Sequence, residues 1–215
     1  MKIREFQLDK LARARELQDE AAALHIPVPV MSWEYEIRDK DGNIEEKGIG
    51  KANSFTRNAL NILAYDVGLS AYSANYSSAF GDGIISVKST SGSIYSLSNY
   101  AGRYTSSNDG TLYCGTSAAA ESLDSYELPS SGLTPAGNSV SSFFNTTTRK
   151  LITTLSRSFY NGTSASIDIV EAGIREQIGS GYFILAVRDV FDAISVAAGE
   201  TLTWTYVTEV SYPNP

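Results

Sequence analysis

Period-two patterning over most of the chain predicts a mainly β protein: an antiparallel β-sandwich or jelly-roll-like domain, with an N-terminal helical arm and one further helix packed on the sheet. Composition points the same way. Charged residues make up 19% of the 215, below the usual ~25%. Ser, Thr, Gly and Tyr fill the difference, and hydroxyl and aromatic side chains suit a pleated, half-solvated surface. No long helical segment separates the later strand candidates, which argues against parallel βαβ winding.

Residues 2–24 read as a helix. They hold neither Gly nor Pro and are dense in Ala, Leu, Glu, Lys, Arg and Gln. Ile3, Phe6, Leu11, Leu17, Ala21 and Leu24 form an apolar stripe at helical spacing, and Pro27 and Pro29 end the helix in a stiff Pro-x-Pro joint. The stripe is thin, so the helix needs a covering surface: its own domain, a sister subunit or another protein. We therefore expect an arm over 1–30 and a β domain over 31–215, with these eight residues as the subunit or partner contact.

Trp33–Arg38 alternates as a strand, Asp39-Lys40-Asp41-Gly42-Asn43 supplies a turn, and Ile44–Ile49 returns as a hairpin. The Asp-x-Asp run is not a calcium loop of the EF-hand kind. Such a loop needs Gly at its sixth position and Glu at its twelfth, and here Gly42 is fourth and Gly50 twelfth. The second helix is expected at about 54–67, capped by Ser54, apolar along Phe55, Ala59, Leu60, Ile62 and Leu63, and stopped by Gly68.

From residue 69 onward the period is two. Expected strands are Ile84–Lys88, Ser93–Leu97, Leu112–Cys114, Ser141–Asn145, Lys150–Tyr160, Ser166–Ile174, Tyr182–Arg188 and Thr201–Ser211. Turn clusters such as Asn161-Gly162 and Ala198-Gly199-Glu200 separate them. The last strand is the clearest: Thr201, Thr203 and Thr205 alternate with Leu202, Trp204 and Tyr206, which marks a half-buried antiparallel strand.

A net charge of -7 argues against general nucleic-acid binding, which needs cations against phosphates, while leaving room for a small local basic patch. No apolar run reaches the ~20 residues that span a bilayer, and the charged start lacks a signal-peptide core, so membrane association and secretion are not expected. The single cysteine, Cys114, forbids an internal disulfide and reads as a small hydrophobe. The Asn-x-Ser/Thr matches at Asn75, Asn145 and Asn161 read as loop composition.

Catalytic templates fail in turn. His25, the only histidine, sits at the end of the arm, where a helix C-terminus explains it. Zinc ligands are too few, and Gly48-Ile49-Gly50-Lys51 is followed by Ala52 where a phosphate loop needs Ser or Thr. No enzyme activity, cofactor or metal is expected. Paired carboxylates are the open exception, with Asp124, Glu127, Asp168, Glu171, Asp189 and Asp192 as the pool. Thirteen tyrosines, clustered between Tyr65 and Tyr126, suit either strands or a glycan-contacting surface.

Four segments together resemble a loosely defined group of tailed-bacteriophage virion proteins with β-sandwich folds. They are the hairpin with Gly50–Asn58; Gly115–Ser122 with Asp124–Leu128; Arg157–Gly162 running into Ile167–Ile174; and Leu185–Phe191 with Val196–Tyr206. The similarity spans about residues 31–211. It implies a neck, tail or capsid-associated subunit, made in the host cytoplasm and carried in the virion. Its partners would be further copies of itself, as a homo-oligomer, and other virion proteins. The alternative is a receptor- or glycan-binding module of a phage particle, using the Tyr/Ser/Asn-rich region 70–110.

Overall fold

The computed structural model describes residues 1–24, 26, 28–52, 56, 59, 86–96, 112–117, 119–120, 122, 124–128, 131–178 and 182–212. In chain order the elements are β1 (Lys2–Phe6), α1 (Leu8–Ala23), β2 (Pro29–Arg38), β3 (Ile44–Lys51), β4 (Ser86–Lys88), β5 (Ile94–Ser96), β6 (Leu112–Gly115), β7 (Thr134–Asn145), β8 (Lys150–Tyr160), β9 (Ile167–Ile178), β10 (Tyr182–Val196) and β11 (Thr201–Ser211). The chain is mainly β, with one N-terminal helix and mostly antiparallel pairing. The helix expected at about 54–67 lies outside the described residues, apart from Thr56 and Ala59. The chain forms two compact units: 1–53 with 132–167 and 195–215, and 54–131 with 168–194.

The first unit is built on a six-stranded sheet in the order β1-β3-β2-β11-β8-β7. Strands β2, β11 and β8 alternate in phase. Trp33 pairs with Tyr206 and Tyr35 with Trp204 across β2–β11, while Leu155 and Phe159 of β8 face Tyr206 and Leu202. All seven are buried, and the Tyr35 and Trp204 rings stack with centroids 5.9 Å apart. The opposite face is polar. Ser156 and Ser158 bond Thr205 and Thr203 at 2.9 Å each, a hydroxyl ladder that satisfies both strands without burial.

The N-terminus departs from the sequence reading. Residues 2–6 are not helical but form β1, parallel to β3, with Phe6 opposite Gly50. Helix propensity is overridden by what β3 offers: an open backbone edge, the Trp33 ring 5.0 Å from Phe6, and Glu46 within 3.1 Å of Lys2. Gln7, at φ 52, breaks the chain between β1 and α1. Gly48 and Gly50 are explained in the same place. They sit opposite Tyr35 and Trp33, whose rings fill the space a Cβ would occupy. The glycines thus seat aromatic rings.

The Asp39 turn closes on itself. Its carboxylate accepts the Asp41 and Asn43 backbone N–H groups at 2.9 and 2.8 Å and the Asn43 side-chain amide at 2.9 Å. The bond from the Asn43 side chain, then those from the backbone, hold its pKa below the ordinary aspartate value. Strand β7 begins at Thr134, earlier than the expected Ser141. Its register with β8 shifts between Pro135 and Asn138, and the buried Arg157 donates to the freed Ala136 carbonyl at 2.9 Å. A proline is tolerated there because β7 lies at the sheet edge.

The second unit holds a three-stranded sheet, β10-β9-β6, and a β4–β5 hairpin. Residues Ile184 through Asp189 of β10 are all buried. The Thr56 N–H donates to Ala186 O at 2.9 Å and Thr90 N–H to Phe183 O at 2.8 Å, tying both residues to β10. Cys114 is buried opposite Ala172 of β9.

Candidate assembly surface

Strand β7 is exposed along nearly its whole length. Among the described residues it pairs only with β8, leaving its outer backbone edge without a strand. Val140, Phe143 and Phe144 are 64%, 54% and 46% exposed. The β8 register fixes their sides: Val140 lies opposite the buried Leu155 and Phe144 opposite Leu151, on the aromatic face, whereas Phe143 lies opposite Ile152 on the hydroxyl face. At the hairpin end Asn145 accepts the Thr147 and Thr148 N–H groups at 3.0 Å, closing the turn to β8. Sequence reasoning missed this site because it placed only the last part of the strand. The available signal was the stretch from Leu128 to Thr148, which carries no charged residue.

The arm is placed differently from its expected stripe. Leu11 and Gln18 are the buried residues of α1, and half-buried Ala14, Ala21 and Ala22 flank them. Gln18 holds the helix to its own unit. Its Nε2 donates to Val28 O and Glu209 O at 2.7 Å each, and its Oε1 accepts from Lys150 Nζ at 3.2 Å. Arg15 adds an ion pair to Glu209 at 2.5 Å. Of the eight expected contact residues, Leu11 is used within the chain, and Phe6 and Ala21 are half-buried. Ile3, Leu17, Leu24 and Pro29 are exposed, and Pro27 lies outside the described residues. Leu17 and Leu24 sit seven residues apart on one side of the helix, so an apolar line faces outward beside the docked one.

In the second unit, Asp124 and Glu127 of the carboxylate pool line one shallow depression of about 260 Å³ together with Arg188. Asp124, Glu127, Asp168 and Asp192 are exposed, while Asp189 and Glu171 are buried. Glu171 meets Arg188, whose Nε donates at 2.9 Å and Nη2 lies 2.8 Å away. The same guanidinium donates to the Ala119 and Ala120 carbonyls at 2.9 and 3.0 Å, and Ser117 N–H donates to Glu171 at 3.2 Å. The pair thus pins Ser117, Ala119 and Ala120 to the sheet. A Cβ at Gly115 would strike the Glu171 carboxylate, so the glycine admits the acid. Among the described residues no group of three or more His, Cys, Asp or Glu side chains is placed to hold a metal.

His25 and most of the region 70–110 lie outside the described residues. Two tyrosines of the wider cluster are described in cation contacts: Tyr126 lies 3.6 Å beneath Lys88 and Tyr113 4.3 Å beneath Arg175. A shallow depression of about 400 Å³ on the hydroxyl face of the first unit is lined by Glu34, Glu36, Lys47, Thr203 and Thr205. Lys47 and Arg38 both pair with Glu36, at 2.7 and 2.5 Å. Bonding to Lys47 outweighs the opposing burial, and Glu36 titrates below the ordinary glutamate value. Asn161 is buried with both amide hydrogens engaged, by Ala165 O and Val196 O at 2.9 and 2.8 Å, so it is a loop clamp and not an exposed glycan acceptor. No described helix is long and apolar enough to cross a membrane. Comparison with known protein families, curated proteins and solved structures finds no match.

Proposed function

We propose that the chain is a structural subunit that works by assembling, and that its place is in a virion, as a neck, tail or capsid-associated protein made in the host cytoplasm. The observation carrying this reading is the β7 edge. A long, uncharged edge strand with exposed aromatic side chains is a surface that proteins acting alone normally guard with charge, bulges or cover. Copies of the chain and other virion proteins are the partners this reading names, and no enzyme activity or cofactor is part of it. We read the β architecture as a sandwich of the jelly-roll kind, in keeping with the four segments that resemble phage virion proteins. The outward line of Leu17 and Leu24 gives the arm a second contact besides its docked face.

Mass spectrometry of particles purified from a lysate of the producing phage tests the reading. We expect peptides of this chain at a fixed ratio to the other particle proteins through repeated density-gradient steps. A chain that stays in the soluble lysate and never co-purifies with particles overturns the virion assignment.

A further inference from the structure

We propose that β7 pairs with β7 of a second copy, antiparallel about a two-fold axis at Ser142, joining two six-stranded sheets edge to edge. This deepens the assembly reading and rests on it.

Charge selects the occupant. The chain carries a net charge of -7, so most faces repel their own copies, yet no charged residue occurs from Leu128 to Thr148. Two β7 strands therefore meet without placing like charges side by side. At the other end of the same sheet, β1 carries Lys2, Arg4 and Glu5 along its short length, the usual guard against such pairing.

The pleat selects the register. A two-fold axis normal to the sheet keeps each face continuous, so residues that meet must share a face, and some residue must lie opposite its own copy. Centring on Ser142 sets Val140 against Phe144 of the second copy, twice, on the aromatic face. It sets Ser141 against Phe143 of the second copy on the other face. Centring on Ser141 would set Val140 against Ser142 and both phenylalanines against polar residues. Centring on Phe143 would carry Val140 past the strand end, which is Asn145. Of these three registers the Ser142 one makes the most apolar cross-strand pairs, two of Val140 with Phe144 against the single Phe143–Phe143 pair of the Phe143 register, and such pairs stabilise antiparallel sheets. Paired segments running from Ser139 to Asn145 make a small interface, below the ~1,200 Å² of standard complexes, so a reversible, micromolar dimer is expected.

Analytical ultracentrifugation of the full chain, with cysteine crosslinking, tests this. Residues directly opposite in an antiparallel pair have Cα atoms about 4.5–5.5 Å apart, within disulfide reach. Ser142→Cys should form a covalent dimer under mild oxidation. Ser139→Cys, about 20 Å from its own copy in this register, should not. The native Cys114 is buried and gives the background. Val140→Lys, at a largely exposed position, should keep the native circular dichroism and weaken the reversible dimer by about tenfold or more, since edge lysines block strand pairing. A wild-type chain that sediments as a monomer at high micromolar concentration overturns the proposal. So does a dimer that Val140→Lys leaves intact, or equal crosslinking at 139 and 142. None of these results touches particle incorporation, so the pairing and the virion assignment fail separately.

Discussion

Buried Gln18 and the buried Glu171–Arg188 pair hold chain segments in place and make opposite demands on substitution. Gln18 is satisfied by two main-chain carbonyls and Lys150, so Gln18→Leu fills the volume but leaves those carbonyls unmatched. The expected loss is ~1–3 kcal/mol, localised to the docking of α1. Hydrogen exchange should show α1 amides opening faster while β11 amides keep their protection, whereas the exposed Leu17→Gln leaves both unchanged. Glu171 and Arg188 behave as a unit. Arg188→Met strands a carboxylate with no exposure and is expected to cost ~3–5 kcal/mol. Adding Glu171→Met should recover a large part of that loss in chemical denaturation, because the unpaired charge is gone. The backbone at Ser117, Ala119 and Ala120 would then have lost its anchor and should become the first site of limited proteolysis. A double variant no more stable than Arg188→Met would show that the charge is not the main cost.

At the scale of elements, hairpins and turn-bounded strands were legible in the sequence, and elements defined by distant partners were not. The Asp39 turn and the Thr201–Ser211 strand stand where pattern placed them, because local chemistry decides both: a self-bonding Asx turn, and alternation of threonine with large apolar residues. Strand β1 was hidden because its residues are good helix formers and its reason for being extended lies at β3, some forty residues on. The docked side of α1 was misread for a related cause. Apolar spacing singles out Leu17 and Leu24, but the end of the sheet offers bare carbonyls that only a polar side chain such as Gln18 can meet. The β7 edge was half visible: alternation showed from Ser141, and the register shift at Pro135 concealed the start. In β3, the service of Gly50 and Gly48 as seats for Trp33 and Tyr35 was not legible, because it needs the cross-strand register. Gly50→Val should therefore tilt Trp33 off its neighbours. A loss of ~1–3 kcal/mol is expected, read as a lower denaturation midpoint with a blunted near-ultraviolet signal.

For the whole molecule, pH separates folding from association. With a net charge of -7 and an isoelectric point near 4.8, lowering the pH from neutrality removes the repulsion between copies. The fold is held through that range by carboxylates that resist protonation. Glu46 is one: burial pushes it up, but the Tyr35 hydroxyl, Lys2 and Arg4 outweigh this and set it below the ordinary glutamate value. Glu36 and Asp39 are lowered too, by Lys47 and by Asn43. For a group whose folded pKa is depressed, the stabilisation is complete above its unfolded pKa, about 4 for these acids, and is lost as pH falls through the lower folded value. Association should thus strengthen between neutrality and the isoelectric point while the urea midpoint stays nearly flat, and the midpoint should fall only at more acid pH. Sedimentation and urea titrations along one pH series read the two effects independently. Glu46→Gln is expected to lower the midpoint at neutral pH by the ~0.2–1 kcal/mol of a partly exposed pair and to flatten the acid decline by the same amount. If the midpoint instead drops in step with rising association above the isoelectric point, unfolding drives the self-association, and the native β7 edge does not.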